Sequence, residues 1–314
     1  MESLKKETVA GFNGPNKLPE SEAEAKLWQQ KNYLWWQENP MRYDWKDEIP
    51  AEEFSKDFYL EIDRRFFGNA EEYLNGQKNS PPFDEFVHFS DLKNKDVLEI
   101  GVGNGSHAQL LALSSEEFAG IDLTDYAVKS TRERFKIFGL KGDIRKMDAE
   151  KMEFPDNSFD FVWSWGVIHH SSNTRKVLEE IKRVLRPSGK AVIMVYHRGW
   201  WNYYVTGLLR GLINSDFLRG KTLVESVQLN TDGALARYFS FSDWKRITKD
   251  LFKIEKMETR GPKTDIILLP PGEIKSFLMK ALPMPLSRFL TREMRMGVFL
   301  ISRLHKLPEG EEVF

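Results

Sequence analysis

Val97-Leu98-Glu99-Ile100-Gly101-Val102-Gly103-Asn104-Gly105 is the stretch that decides the fold. An apolar strand, predicted over Asp96 to Val102, runs into glycines at every second position: Gly101, Gly103 and Gly105. A helical pattern follows from Ser106 to Leu113. Strand, glycine turn and helix together make a nucleotide cradle. Glycine lets backbone approach a ligand where a Cβ would clash, and the helix N-terminus offers unpaired N–H groups. A dinucleotide fingerprint needs its third glycine three positions after the second. Ser106 stands there and Gly105 comes one early, so a dinucleotide site fits poorly.

Working outward, Glu116 to Leu123 reads as a second strand with Asp122 at its carboxyl end. A carboxylate there can accept both hydroxyls of a ribose, by the switch-point geometry of open α/β sheets. Tyr126 to Phe138 shows helical spacing. Asp143 to Met147 is a short third strand, followed by Asp148 and Ala149. Phe159 to Trp165 is a fourth strand. Thr174 to Leu185 is a helix that Arg186-Pro187-Ser188-Gly189 should close, and Lys190 to Tyr196 is a fifth strand.

With these elements in order, the chain resembles the class I S-adenosylmethionine-dependent methyltransferases. Glu99 to Gly105 looks like their first motif, and Gly120-Ile121-Asp122-Leu123 like their acidic ribose motif. Asp148-Ala149-Glu150 and Phe154 to Asp160 look like the adenine turn and the lead into the fourth strand. Trp165 to His170 and Val184 to Gly189 resemble the later motifs of the quinone C-methyltransferase-like (methyltransferase type 11) branch. Five motifs in order form a more specific signal than any one alone. The resemblance is dense over about residues 85–197 and loose at both ends. It implies an α/β, Rossmann-like, seven-stranded sheet with its last strand antiparallel, and S-adenosyl-L-methionine as cofactor, released as S-adenosyl-L-homocysteine.

Composition agrees. The 314 residues are 41% apolar, enough for one large domain with embellishments. A net charge of −1 is not built to follow a polyanion over a long footprint, so no nucleic-acid partner is expected. The absence of cysteine removes disulfides, thiolate metal sites and a cysteine nucleophile, and with it cytosine C5 chemistry. The N-terminus lacks an apolar signal region and no long apolar run is present, so a cytoplasmic location is expected, with peripheral membrane contact left open and the oligomeric state unread.

Residues 1–25 read as a flexible polar arm, 26–84 as an aromatic-rich helical N-terminal cap, and 85–314 as the methyltransferase domain. That domain carries cap insertions at 198–240 and 261–293. The first opens with Trp200-Trp201-Asn202-Tyr203-Tyr204; the second contains Leu268-Leu269-Pro270-Pro271-Gly272. Both should stand over the carboxyl ends of the strands, where ligands bind, and connections this long are usually lids or binding elements.

For the cofactor, the resemblance implies Gly101, Gly103 and Gly105 at the amino-acid part with Glu99 supporting the loop, Asp122 and Leu123 at the ribose, Asp148 and Ala149 at the adenine, and Trp165 and Gly166 near the methyl. Local alternatives stand beside these roles. Asp122 could cap the following helix, Asp148 could be a solvated turn acid, and the tryptophans could be core. His170, His169 and His197 are the candidate general bases, since an imidazole titrates near neutrality. Methyl transfer, however, often needs no base. No metal is expected, because the related quinone O-methyltransferases place a Glu-His pair where this chain has His169-His170. The expected activity is methylation of a small apolar or aromatic molecule at an O, C or N atom. The alternatives are a lipid or protein acceptor at a membrane surface, or a binding protein that kept the fold without turnover.

Overall fold

The computed structural model describes residues 9–44, 47–75, 80–269 and 272–307. Its centre is one sheet. Strands β1 (Asp96–Ile100), β2 (Glu117–Asp122), β3 (Asp143–Lys146), β4 (Phe159–Trp165) and β5 (Leu185–His197) are followed by β6 (Tyr238–Phe239), β7 (Phe252–Arg260) and β8 (Phe299–Lys306). The order across the sheet is β3-β2-β1-β4-β5-β8-β7, with β6 paired to the end of β5. Strands β1 to β5 pair in parallel, and β8 runs antiparallel to both β5 and β7. Strand β6 makes an eighth strand where seven were expected. It is two residues long, too short for an alternation pattern to reveal, and it pairs Tyr196 with Tyr238 and His197 with Phe239.

Eleven helices surround the sheet among the described residues. They are α1 (Glu22–Glu38), α2 (Lys56–Ala70), α3 (Asp84–Val87), α4 (Ser106–Ala112), α5 (Asp125–Phe138), α6 (Thr174–Val184), α7 (Thr206–Ile213), α8 (Leu223–Leu229), α9 (Phe241–Thr248), α10 (Glu273–Ala281) and α11 (Met284–Arg292). Side chains alternate across the pleat, so the central strands bury both faces. Leu98, Ile100, Val162 and Ile193 pack with Val177, Leu178 and Ile181 of α6 and Trp244 of α9. Val97, Phe161, Trp163 and Val192 pack on the other side with Ala108 and Leu111 of α4 and Phe83 and Phe86 from the N-terminal region. Each fully buried aliphatic or aromatic side chain contributes about 1.5–3 kcal/mol. Helix starts are locally encoded: the Thr124 side chain accepts from the Ala127 amide to begin α5, and Asn173 accepts from Arg175 and Lys176 to begin α6.

Two expectations are corrected. The arm expected over 1–25 is packed from Val9 onward: Val9 and Phe12 are buried with Trp28 and Leu235, and α1 already begins at Glu22. Its polar composition hid two apolar anchors; residues 1–8 lie outside the described residues. The fifth strand starts earlier than Lys190: helix α6 ends at Val184, Leu185 already pairs with Phe159, and Arg186 to Gly189 loop out as a turn before Lys190 pairs with Phe161. Arg186 is drawn into ion pairs with Asp96 at 2.6 Å and with Asp160. Trp45 and the Pro270-Pro271 pair lie outside the described residues.

Candidate active site

A cavity of about 610 Å³ opens at the carboxyl ends of the parallel strands. Its floor comes from β1 and the glycine turn. Gly101, Gly103 and Gly105 all have positive φ, at 84°, 52° and 80°. The three are not equivalent. A Cβ on Gly101 would lie 2.2 Å from Val167 Cγ2, and one on Gly105 would lie 3.0 Å from Arg134 Cδ, so these two allow packing. A Cβ on Gly103 meets nothing within 4 Å and would point into open space. Gly101 and Gly103 line the cavity and Gly105 does not, so Gly105 serves the turn rather than a ligand.

Asp122 closes the other side of the turn. Its Oδ2 accepts the Gly103 amide at 3.2 Å, and its Oδ1 accepts the Thr124 amide and hydroxyl, each at 2.9 Å. Burial pushes its carboxyl upward, against the pull of those donors. Glu99 is 2% exposed, and its Oε2 has no partner among the described residues. Burial, helped by the Asp122 charge, pushes Glu99 well above the usual carboxylate range. A buried carboxyl with an unsatisfied oxygen on a cavity wall is costly, and an ammonium group would satisfy it. Glu99, Asp122, Leu123, Ala149, Trp165 and Gly166 all line the same cavity.

Asp148 does not. Its Oδ1 accepts the Glu150 amide at 2.9 Å and the Gln29 side-chain amide at 2.8 Å. Helix α1 therefore takes the acid that the turn motif offered, and Gln29 joins Ala149 on the wall.

The three histidines separate. His170 lines the cavity, 4.9 Å between ring centres from Trp36 and 5.7 Å from Tyr196. Its Nδ1–H donates to the Leu235 carbonyl at 2.7 Å, a tautomer that puts the lone pair on Nε2. His169 is fully buried off the cavity, and burial holds its basicity well below the ordinary imidazole value. His197 also lies off the cavity; its Nδ1 bonds the Gly297 carbonyl at 3.0 Å, and burial pushes its pKa down to about 4. Both were expected beside the ligand because they follow core strands, but His169 lies inside the short turn Ile168–His170 after β4 and His197, the last residue of β5, packs against the Gly297 carbonyl. His107 on α4 is a cavity imidazole that the motifs did not flag; it is packed edge-on against Phe83 and Trp163, and burial pushes it to about 3.

The outer half of the cavity is the N-terminal cap plus the second insertion. Tyr43, Phe66 and Tyr73 face Trp165, Met194, Tyr196 and Phe299, with Pro262, Thr264 and Met279 at the insertion side. Burial pushes the hydroxyl pKa values of Tyr73 and Tyr196 well up, so both stay neutral. Asn32 of α1 donates to the His170 carbonyl at 2.5 Å and ties the cap to the fourth-strand loop. Among the described residues no group of three potential ligands could hold a metal ion.

The strand order, the glycine turn and the acid ending β2 define a class I S-adenosylmethionine-dependent methyltransferase fold. Residues 98–193 match the family model described as "Methyltransferase domain". Among curated proteins, residues of this chain are 38% identical over 101 positions to the phthiotriol/phenolphthiotriol dimycocerosates methyltransferase of Mycobacterium tuberculosis, covering 32% of this chain and 37% of that one. They are 31% identical over 170 positions to the fatty-acid O-methyltransferase of Mycolicibacterium smegmatis, covering 47% and 61%. They are 37% identical over 120 positions to phosphoethanolamine N-methyltransferase 2 of Caenorhabditis elegans, covering 36% and 26%. The matched stretch thus spans less than two thirds of each of these relatives. The family and fold imply S-adenosylmethionine as cofactor, and the cradle fits it: Gly103 leaves room, and Glu99 has an unsatisfied buried oxygen.

Proposed function

We propose that the chain transfers the methyl group of S-adenosylmethionine to a small, apolar or aromatic acceptor held under the helical cap. The observation that carries this reading is the single cavity shared by the glycine cradle and an aromatic outer wall. Its size suits one cofactor and one modest acceptor, since ligand pockets commonly run about 300–1,000 Å³. Two of the relatives described above are named for apolar acceptors and one for a small polar amine, so their names support the class without fixing the acceptor.

The cofactor supplies an activated methyl on a sulfonium, so the protein's part is to hold, align and exclude water. Glu99 would take the ammonium, Asp122 the ribose hydroxyls, and Leu123, Ala149 and Gln29 the adenine edge. Trp165 and Gly166 would line the path between the two halves. His170 is the cavity group placed to accept a proton at Nε2 if the acceptor must lose one. The neutral tyrosines and Trp36 would keep the acceptor dry.

The test is methyl transfer from isotopically labelled S-adenosylmethionine into cell extract, split into solvent-soluble and protein fractions. One labelled species in the solvent fraction supports the reading. Label in protein alone would favour a side-chain acceptor, and no label with intact cofactor binding would favour a non-catalytic protein.

A further inference from the structure

The two cap insertions carry apolar side chains on the wrong side of their helices. On α7, the residues packed inward are glycines. A Cβ on Gly207 would lie 2.8 Å from Val227 Cγ2, and one on Gly211 would lie 2.4 Å from Phe217 Cζ. Leu208, Leu209, Leu212 and Ile213 point outward instead, with Ile213 76% exposed. Helix α10 has no buried residue along its nine positions, and its Ile274 and Phe277 are 72% and 69% exposed. A helix with glycine inside and leucine outside gains nothing from the core it sits on. Its apolar surface is available to be covered by something else.

The two helices share one region. The Trp201 indole, just before α7, donates to the Asp265 carbonyl at 2.7 Å, and the nearby Lys263 ammonium donates to the Met279 and Leu282 carbonyls at the end of α10 at 3.1 and 2.6 Å. The second insertion also supplies Met279 and Thr264 to the cavity wall. The charge of these segments is distinctive. Residues 206–221 and 273–295 hold eight basic and three acidic side chains, on a chain whose net charge is −1. Asp216 is buried and accepts a hydrogen bond from Ser226, while Arg288 and Arg292 turn inward to the Leu74 and Tyr73 carbonyls, which leaves six basic and two acidic side chains on the outer face. The face is therefore cationic and apolar while the rest of the protein is anionic.

We propose that this face docks on an anionic phospholipid bilayer, and that the acceptor enters the cavity from it. The second half rests on the methyltransferase reading; the first does not. Apolar helix faces edged with Lys and Arg lie in the interface of such membranes, where negative headgroups attract them. A second copy of the chain is a poorer occupant, because a two-fold interface sets the same patch against itself and here opposes like charges.

The test is sedimentation of the full chain with vesicles of phosphatidylcholine alone or mixed with phosphatidylglycerol. The protein should pellet with the mixed vesicles, stay in solution with the neutral ones, and be released by salt. The double variant Leu212→Asp/Ile213→Asp, and Phe277→Asp separately, should lose at least about tenfold in partitioning, with unchanged melting temperature and unchanged S-adenosylhomocysteine binding. Should a variant unfold, the lipid-charge and salt comparisons on the native chain still decide. Equal pelleting with both vesicle types, none with either, or unaltered binding by folded variants would overturn the proposal. So would a stable dimer that these variants dissociate. Loss of vesicle binding with cofactor binding intact counts against the docking face only; absence of cofactor binding counts against the methyltransferase reading.

Discussion

Replacing Asp122 probes the cradle at its most connected point. In Asp122→Ala the carboxylate is lost, and with it the acceptor for the Gly103 amide and for the Thr124 amide and hydroxyl. The effect on the cofactor has two sources. The charge-assisted contact to the ribose is worth about 1.5–3 kcal/mol, which corresponds to roughly 10- to 150-fold in dissociation constant. Loosening of the glycine turn adds to it without being specific to ribose. Asp122→Asn separates the two, because its amide oxygen can keep the Thr124 pair while the charge is gone. The assay is titration calorimetry with S-adenosylhomocysteine and with an analogue lacking the ribose hydroxyls. The native chain should prefer the hydroxylated ligand, and both variants should bind the two ligands nearly alike. A variant that is weakened but still discriminates would show that Asp122 only shapes the turn. An unchanged dissociation constant would refute the ribose assignment outright.

Three further outcomes are expected. Gly103→Val should abolish cofactor binding while circular dichroism stays native, since its side chain enters space that no protein atom occupies and a branched residue is strained at φ 52°; retained binding would put the ligand elsewhere. Glu99 is protonated more readily in the fold than in the unfolded chain. Stability should therefore fall as pH rises above the ordinary carboxylate value, and Glu99→Gln should flatten that fall while weakening the ligand's ammonium contact. In the native chain, binding that ammonium should release a proton, seen as a buffer-dependent heat in calorimetry; the same heat in Glu99→Gln would argue against this. For an acceptor that gives up a proton, His170→Gln should cut turnover by about 10²–10⁴-fold with little change in cofactor affinity. His169→Gln and His197→Gln should matter through folding only, and equal activity in all three would leave positioning as the whole mechanism.

The core fold was legible because its signals are local. An apolar strand, alternating glycines and an acid at the end of the next strand are all set by backbone sterics within a few residues, and they return as β1, the turn and Asp122. The strand ends were legible to within a few residues, except where β5 begins. There Leu185 already pairs with Phe159, and the Pro-Ser-Gly turn loops out of the ladder before Lys190 rejoins it. What the sequence does not display is which side chain reaches which cavity across long separations. Gln29 meets Asp148 across 119 positions and Asn32 meets the His170 carbonyl across 138. No periodicity encodes such pairs, so a helical cap over residues 26–84 was legible but the contacts by which α1 reaches Asp148 and the His170 carbonyl were not. The histidines differ for the same reason: one residue along the chain separates His169, sealed in the interior, from His170, on the cavity wall.

Coupling of a cofactor site to an acceptor in the cavity under the cap is tested most directly by incubating the native chain and Gly103→Val with S-adenosylmethionine labelled on its methyl and a solvent extract of cells, and resolving the products by mass spectrometry. One labelled small molecule and S-adenosylhomocysteine are expected in equal amounts with the native chain, and neither with the folded variant. Label transferred equally by both proteins, or no S-adenosylhomocysteine from a native chain that binds the cofactor, would contradict that coupling.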